Sequence, residues 1–124
     1  MAIYHQTQVV PVTAGADLTE CEGCFVKLSS GKAVLTAASD TAATIYGLVH
    51  SGDAADKTVD IILPGHSGIV GMMLHSSATN VANGTGLALA ANGTVKNAGS
   101  NDTVVAVALA AGTAGELVAA RFAI

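Results

Sequence analysis

The stretch that most limits what this chain can become is "VAVALAAGTAGELVAARF", residues 105–122, a uniform run of small apolar side chains. A membrane-spanning helix needs about 20 predominantly apolar residues. Gly112, Thr113, Gly115 and Glu116 interrupt the run well before that. A soluble helix would hold two glycines near its centre, each costing about 1 kcal/mol against alanine. Strands accommodate the pattern better. Val105, Val107 and Leu109 fall on one face and Ala106 and Ala108 on the other, and Val118, Ala120 and Phe122 resume the alternation after "AAGTAG". The segment reads as a hairpin split at Gly112 and Gly115.

The remaining chain follows the same rhythm, with Gly, Asn, Asp or Ser recurring about every eight to twelve residues, as in all-β domains. "FVKLSSGKAVLT" (25–36) predicts a hairpin turning at Ser30-Gly31, and "TIYGLVH" (44–50) a third short strand. In "KTVDIILPG", Val59, Ile61 and Leu63 alternate with Thr58 and Asp60 before Pro64-Gly65 stops the strand. "GIVGMMLH" places Val70, Met72 and Leu74 on one face, and "GLALAANGTVKNAG" turns at Asn92-Gly93. The expected fold is mostly β: a small compact β-barrel or tulip-like domain over residues 14–124, with few or no helices. Residues 1–13, containing "AIYHQTQVVPV", have no turn and no adjacent partner strand, and Pro11 confines them to an edge or an irregular path. They read as an extended N-terminal arm suited to pairing with a neighbouring sheet edge.

Composition narrows the partners. Half of the 124 residues are hydrophobic (51%), yet aromatics are 3% and Trp is absent, so each buried side chain removes little area from water. Only 11% are charged, and the net charge is −4. Sparse charge suits a protein whose surface is partly covered by partners. Lys27, Lys32, Lys57, Lys96 and Arg121 are scattered, which argues against nucleic acid and against an anionic membrane. "MAIYHQTQVVPVT" has neither the basic start nor the apolar core of a secretory signal, so the sequons at Asn83, Asn92 and Asn101 read as turn chemistry, and Cys21 and Cys24 as reduced thiols.

Each chemical motif has a plainer explanation. "CEGC" (21–24) supplies two of the four ligands that a structural zinc requires, with no second pair and no His-x-x-x-His. Redox use would place the pair at a helix start, whereas a strand follows here. Turn and packing cysteines are the simpler reading. "PGHSG" (64–68) is not the G-x-S-x-G of a nucleophile elbow, because Gly68 directly follows Ser67 and a strand comes next. His5, His50, His66 and His75 lack chelating spacing, Asp53, Asp56 and Asp60 lack a calcium-loop pattern, and Glu116 and Arg121 fall on opposite strand faces. The expectation is a protein that is not an enzyme and carries no cofactor or metal.

The order of the pieces "FVKLSSGKAVLT", "IYGLVHSGDA", "VDIILPGHSGIV", "NGTGLALAANGTVKNAG" and "VVAVALAAGTAGELVAARF" resembles the small capsid cement, or head decoration, proteins of tailed bacteriophages. The last phrase carries most of the likeness, a strand leading through "GTAGE" to a closing strand. "TECEGCFV" departs from it, where a glycine-led entry to the strand is the family pattern, and "GIVGMMLH" is unusually rich in methionine. The resemblance implies a structural virion protein on the outer surface of the expanded phage head. It would act as a homotrimer at threefold and quasi-threefold positions, bridging major capsid protein subunits and neighbouring cement subunits. On that reading Ile3, Tyr4, His5, Gln6, Thr7, Gln8, Val9 and Val10 form a capsid-contacting arm, with Tyr4, Val9 and Val10 as anchors. Two other classes stay open: a small β-barrel ligand-binding module on a phage or cell surface, and a C-x-x-C zinc or redox module.

Overall fold

The computed structural model describes residues 9–65 and 68–124. Ten strands follow in order: β1 Val9–Thr13, β2 Phe25–Ser29, β3 Lys32–Leu35, β4 Gly47–Ser51, β5 Thr58–Ile62, β6 Val70–Met73, β7 Gly86–Leu89, β8 Val95–Asn97, β9 Ala106–Ala108 and β10 Leu117–Phe122. The helical content described is two single 3-10 turns, Ala42–Thr44 and Ala91–Gly93. Turn chemistry sets the hairpins where the sequence predicts them. Ser30 (φ 52°) and Gly31 (φ 77°) join β2 to β3, and Asn92 (φ 58°) and Gly93 (φ 74°) lie in the loop from β7 to β8. Both pairs supply the left-handed backbone that tight hairpins need.

The strands form two antiparallel five-stranded sheets, ordered β1-β5-β4-β2-β3 and β6-β10-β9-β7-β8. The mostly-β expectation holds, but the sheets are not closed into a barrel. In each, the two edges approach at one end over a single bridging pair, Ala14 with Ala33 and Leu74 with Val95. One pair is too short for a closing ladder.

The two orders are the same order. Position for position, β6 to β10 repeat β1 to β5, and the registers agree. Thr13 faces Thr58 as Met73 faces Leu117. Phe25 faces Leu48 as Gly86 faces Val107. Leu28 faces Ala33 as Leu89 faces Val95. Val49 faces Ile61 as Ala108 faces Ala120. Loop hydrogen bonds recur too: Ala14 N–H donates to Lys57 C=O (2.8 Å) and Leu74 N–H to Glu116 C=O (3.0 Å). The turn before β2, where Cys24 N–H reaches Cys21 C=O (3.0 Å), is repeated before β7 by Thr85 and Ala82 (3.0 Å). The chain is therefore a tandem of two copies of one five-stranded unit, residues 9–62 and 70–122.

Corresponding positions also fill corresponding cores. Ala14, Leu18, Val26, Ala33, Val49, Val59 and Ile61 pack together inside the first unit. Their counterparts Leu74, Ala78, Leu87, Val95, Ala108, Val118 and Ala120 lie inside the second. Side chains on the other face of the first sheet, Phe25, Leu48 and Ile62, join this second cluster, with Phe25 edge-on to Phe122 at 6.0 Å. Strand β5 is thus buried on both faces: Val59 and Ile61 serve one core and Ile62 the other. In the hairpin of residues 105–122, Ala106, Ala108 and Ala120 are fully buried, so the alanine face of β9 points inward.

Candidate binding surface

The arm reading can be placed in part. Ile3, Tyr4, His5, Gln6, Thr7 and Gln8 lie outside the described residues. Val9 and Val10 belong to β1, whose partner strand is not adjacent in sequence but is β5, with Val9 opposite Ile62 and Val10 opposite Ile61. Both valines are half-buried, Val9 against the second core and Val10 against the first. They anchor the chain to itself. β1 remains an edge strand: past the Ala14–Ala33 bridge, no ladder partner lies along its outer side among the described residues. Ala14 N–H bonds inward toward Lys57, and antiparallel alternation turns the Thr13 N–H and the Pro11 nitrogen to the open side. Exposed Pro11 sits where its missing donor costs no ladder bond.

The cysteines sit at the junction of the two units. In the Cys21–Cys24 turn, Gly23 N–H donates to Val49 C=O in the first sheet (2.9 Å), and Gly23 C=O accepts from Met73 N–H in the second (2.9 Å). Gly23 has φ +83°, and a Cβ there would collide with Leu117 Cδ2 and the Gly71 carbonyl. Cys24 is buried against the Gly93 turn, and its thiol is pushed up to about 12 by burial, with the neighbouring Cys21 adding to the rise. Cys21 is also raised, first by burial and then by the charge of Asp17. Both are free thiols. Among the described residues no group of three or more His, Cys, Asp or Glu side chains could hold a metal ion. The second unit builds the same turn from Ala82 and Thr85, so its geometry does not require sulfur.

From this, Cys21→Ala/Cys24→Ala should retain cooperative unfolding with a loss of about 1 kcal/mol, read by calorimetry. Stoichiometric zinc in the purified protein, or loss of the fold, would return the metal reading. A folded Cys24 keeps its proton to about 12, whereas an exposed thiol releases it near 9. Unfolding then releases a proton at alkaline pH, so this contribution to stability is complete below pH 9 and declines as pH rises toward 12.

Other polar candidates are tied into loops. A cleft of about 200 Å³ is lined by Asp40, Leu89, Asn101, Asp102 and Val105 among others. The Ala37 N–H first, and then the Lys27 ammonium at 2.8 Å, hold the Asp40 carboxyl below its usual range. Asp102 accepts from Gly99 N–H at 2.7 Å. Asp56 pairs with Lys32 at 3.0 Å, while His75 Nδ1 is 2.8 Å from Ser77 Oγ. His66 and Ser67 of "PGHSG" lie outside the described residues, as does His5. No described helix is long and apolar enough to cross a membrane.

Fold and surface together define a duplicated, all-β protein with two open sheets and small-residue turns at the unit junction. No family model and no curated protein matches the sequence. Among solved structures the chain is similar to the N base of the head fiber gp8.5 of bacteriophage phi29, with a TM-score of 0.72 over 93% of this chain and 92% of that one. At 13% identity the likeness is one of fold.

Proposed function

We propose that this chain is a structural virion protein that seats on the outer surface of a tailed-phage head and cements neighbouring major capsid protein subunits. The observation that carries the reading is the likeness to a phage head fiber base along nearly the whole of both chains. It comes from backbone geometry, whereas the resemblance to cement proteins comes from sequence order, and both point to the head surface. The low charge and absence of a basic cluster suit an exterior position away from packaged DNA. On this reading the protein turns over no substrate, needs no cofactor and meets neither nucleic acid nor membrane. It acts as a homotrimer whose simultaneous contacts multiply a modest affinity, with further contacts to neighbouring cement subunits. A clamp that binds only the expanded shell stabilises that form by mass action.

Mixing the purified protein with expanded empty heads should give saturable binding and raise the melting temperature of the shell. No binding to any head form would overturn the proposal. Binding that leaves the melting temperature unchanged would keep the head-surface location and remove the cementing role.

A further inference from the structure

The duplicated fold contains a docked pair of its own units, and among the described residues nothing fills the opposite half of that contact on either unit. Within the chain, the first unit offers its outer face to the second. That face comprises the Gly23 turn with Phe25, Ile45, Leu48 and Ile62, all within or packed against the shared core. The second unit receives it with its β6 edge, through the Met73 N–H to Gly23 C=O bond, and with its Gly93 turn, whose N–H donates to Thr36 C=O at 2.9 Å.

Register correspondence identifies the unused halves. The second unit's outer face has Gly84 where the first has Gly23, Val104 where it has Ile45, and Val107 where it has Leu48. The first unit's receiving edge has Thr13 for Met73 and Gly31 for Gly93. A Cβ at Gly84 or Gly31 would meet nothing within 4 Å, whereas one at Gly23 or Gly93 would strike backbone. Two exposed large apolar side chains fall on these halves. Val104, 39% exposed, corresponds to packed Ile45, and Leu28, 45% exposed, corresponds to buried Leu89.

We propose that these halves meet in self-association: the 82–85 turn and the Val104/Val107 face of one copy dock on the β1 edge and Gly31 turn of a second. The Thr13 N–H would donate to the Gly84 carbonyl as Met73 does to Gly23. Charge favours this polarity. Seven of the nine acidic residues, Asp17, Glu20, Glu22, Asp40, Asp53, Asp56 and Asp60, lie in the first unit against three lysines. The second unit is balanced, with Asp102 and Glu116 against Lys96 and Arg121. Second-on-first docking avoids setting two acidic units together. Because donor and receiver surfaces differ, the contact is heterologous and builds a ring where its rotation closes. The second unit's face is less apolar than the first's, with Gly86 and Arg121 in place of Phe25 and Ile62, so the association is weaker than the internal contact.

This inference names the surfaces of the self-association proposed above and rests on that part of the reading alone. The test is sedimentation of the full chain up to about 1 mM. Thr13→Pro removes the edge donor without touching the inward ladder, and Val104→Glu places a charge on the donor face. Each should melt near the wild type yet weaken association about tenfold or more. Mixed together, they should recover one-to-one dimers and nothing larger, since each keeps the half the other lacks. A monomeric wild type throughout, undiminished association in both variants, or no recovery on mixing would each overturn the inference. Failure to bind heads with self-association intact would instead count against the capsid role.

Discussion

Gly23→Ala should lower the melting temperature by about 10 °C or more, while Gly84→Ala costs only a few degrees. The two glycines occupy the same turn in the two units, at φ +83° and +95°, and each donates its N–H to the equivalent β-strand carbonyl, Val49 or Ala108. A side chain forced into left-handed backbone costs about 1–2 kcal/mol at either position. At Gly84 that is nearly the whole cost, because open space surrounds the new methyl group. At Gly23 the methyl also strikes Leu117 and the Gly71 carbonyl. Relief requires the units to separate where Met73 N–H meets Gly23 C=O, adding about 1–3 kcal/mol of overpacking. Thermal unfolding of the two variants side by side isolates the junction from the turn. Equal losses would show that the docked surface contributes nothing.

Deleting residues 1–12 should unfold or severely destabilise the protein, whereas deleting residues 1–8 keeps β1 and should abolish head binding. Read as a free arm, residues 1–13 are dispensable to the fold; β1 makes residues 9–12 part of it. Val9, Val10 and Val12 pack on the two cores, and their loss uncovers Ile61 and Ile62 on β5. Three half-buried valines at about 1 kcal/mol each, with the lost ladder bonds, come to about 4 kcal/mol or more. That is a large share of the stability of a small domain, about 5–15 kcal/mol in all. Denaturant titration and head-binding assays on the two truncations separate the roles. Full head binding by the shorter deletion would remove Ile3 to Gln8 from the contact.

The candidate site was only partly legible in the residues. C-x-x-C draws the eye because spacing is all a sequence displays of it. That Ala82 and Thr85 build the same turn appears only once hydrogen bonds are compared. The duplication was hidden for a related reason. Equivalent core positions keep burial and apolar character but rarely size or identity: Val26 answers to Leu87, Ala33 to Val95, and Ile61 to Ala120. Gly23 with Gly84, and Leu28 with Leu89, are among the few matches, too sparse to stand out in an Ala/Gly/Val-rich chain.

By itself the sequence determined the class of structure, the places where the chain turns and which side chains of a strand share a face. Those features are local: period-two alternation decides which side chains share a face, and Ser30-Gly31, Asn92-Gly93 and Gly115 supply backbone that strands cannot continue. Tertiary structure alone decided that Val9–Thr13 lies against Thr58–Ile62, that the strand order occurs twice, and that the outer face of one unit is buried on the other. Antiparallel pairing between distant segments depends on which apolar faces can be covered together. An alternating strand carries the same pattern whichever partner it meets.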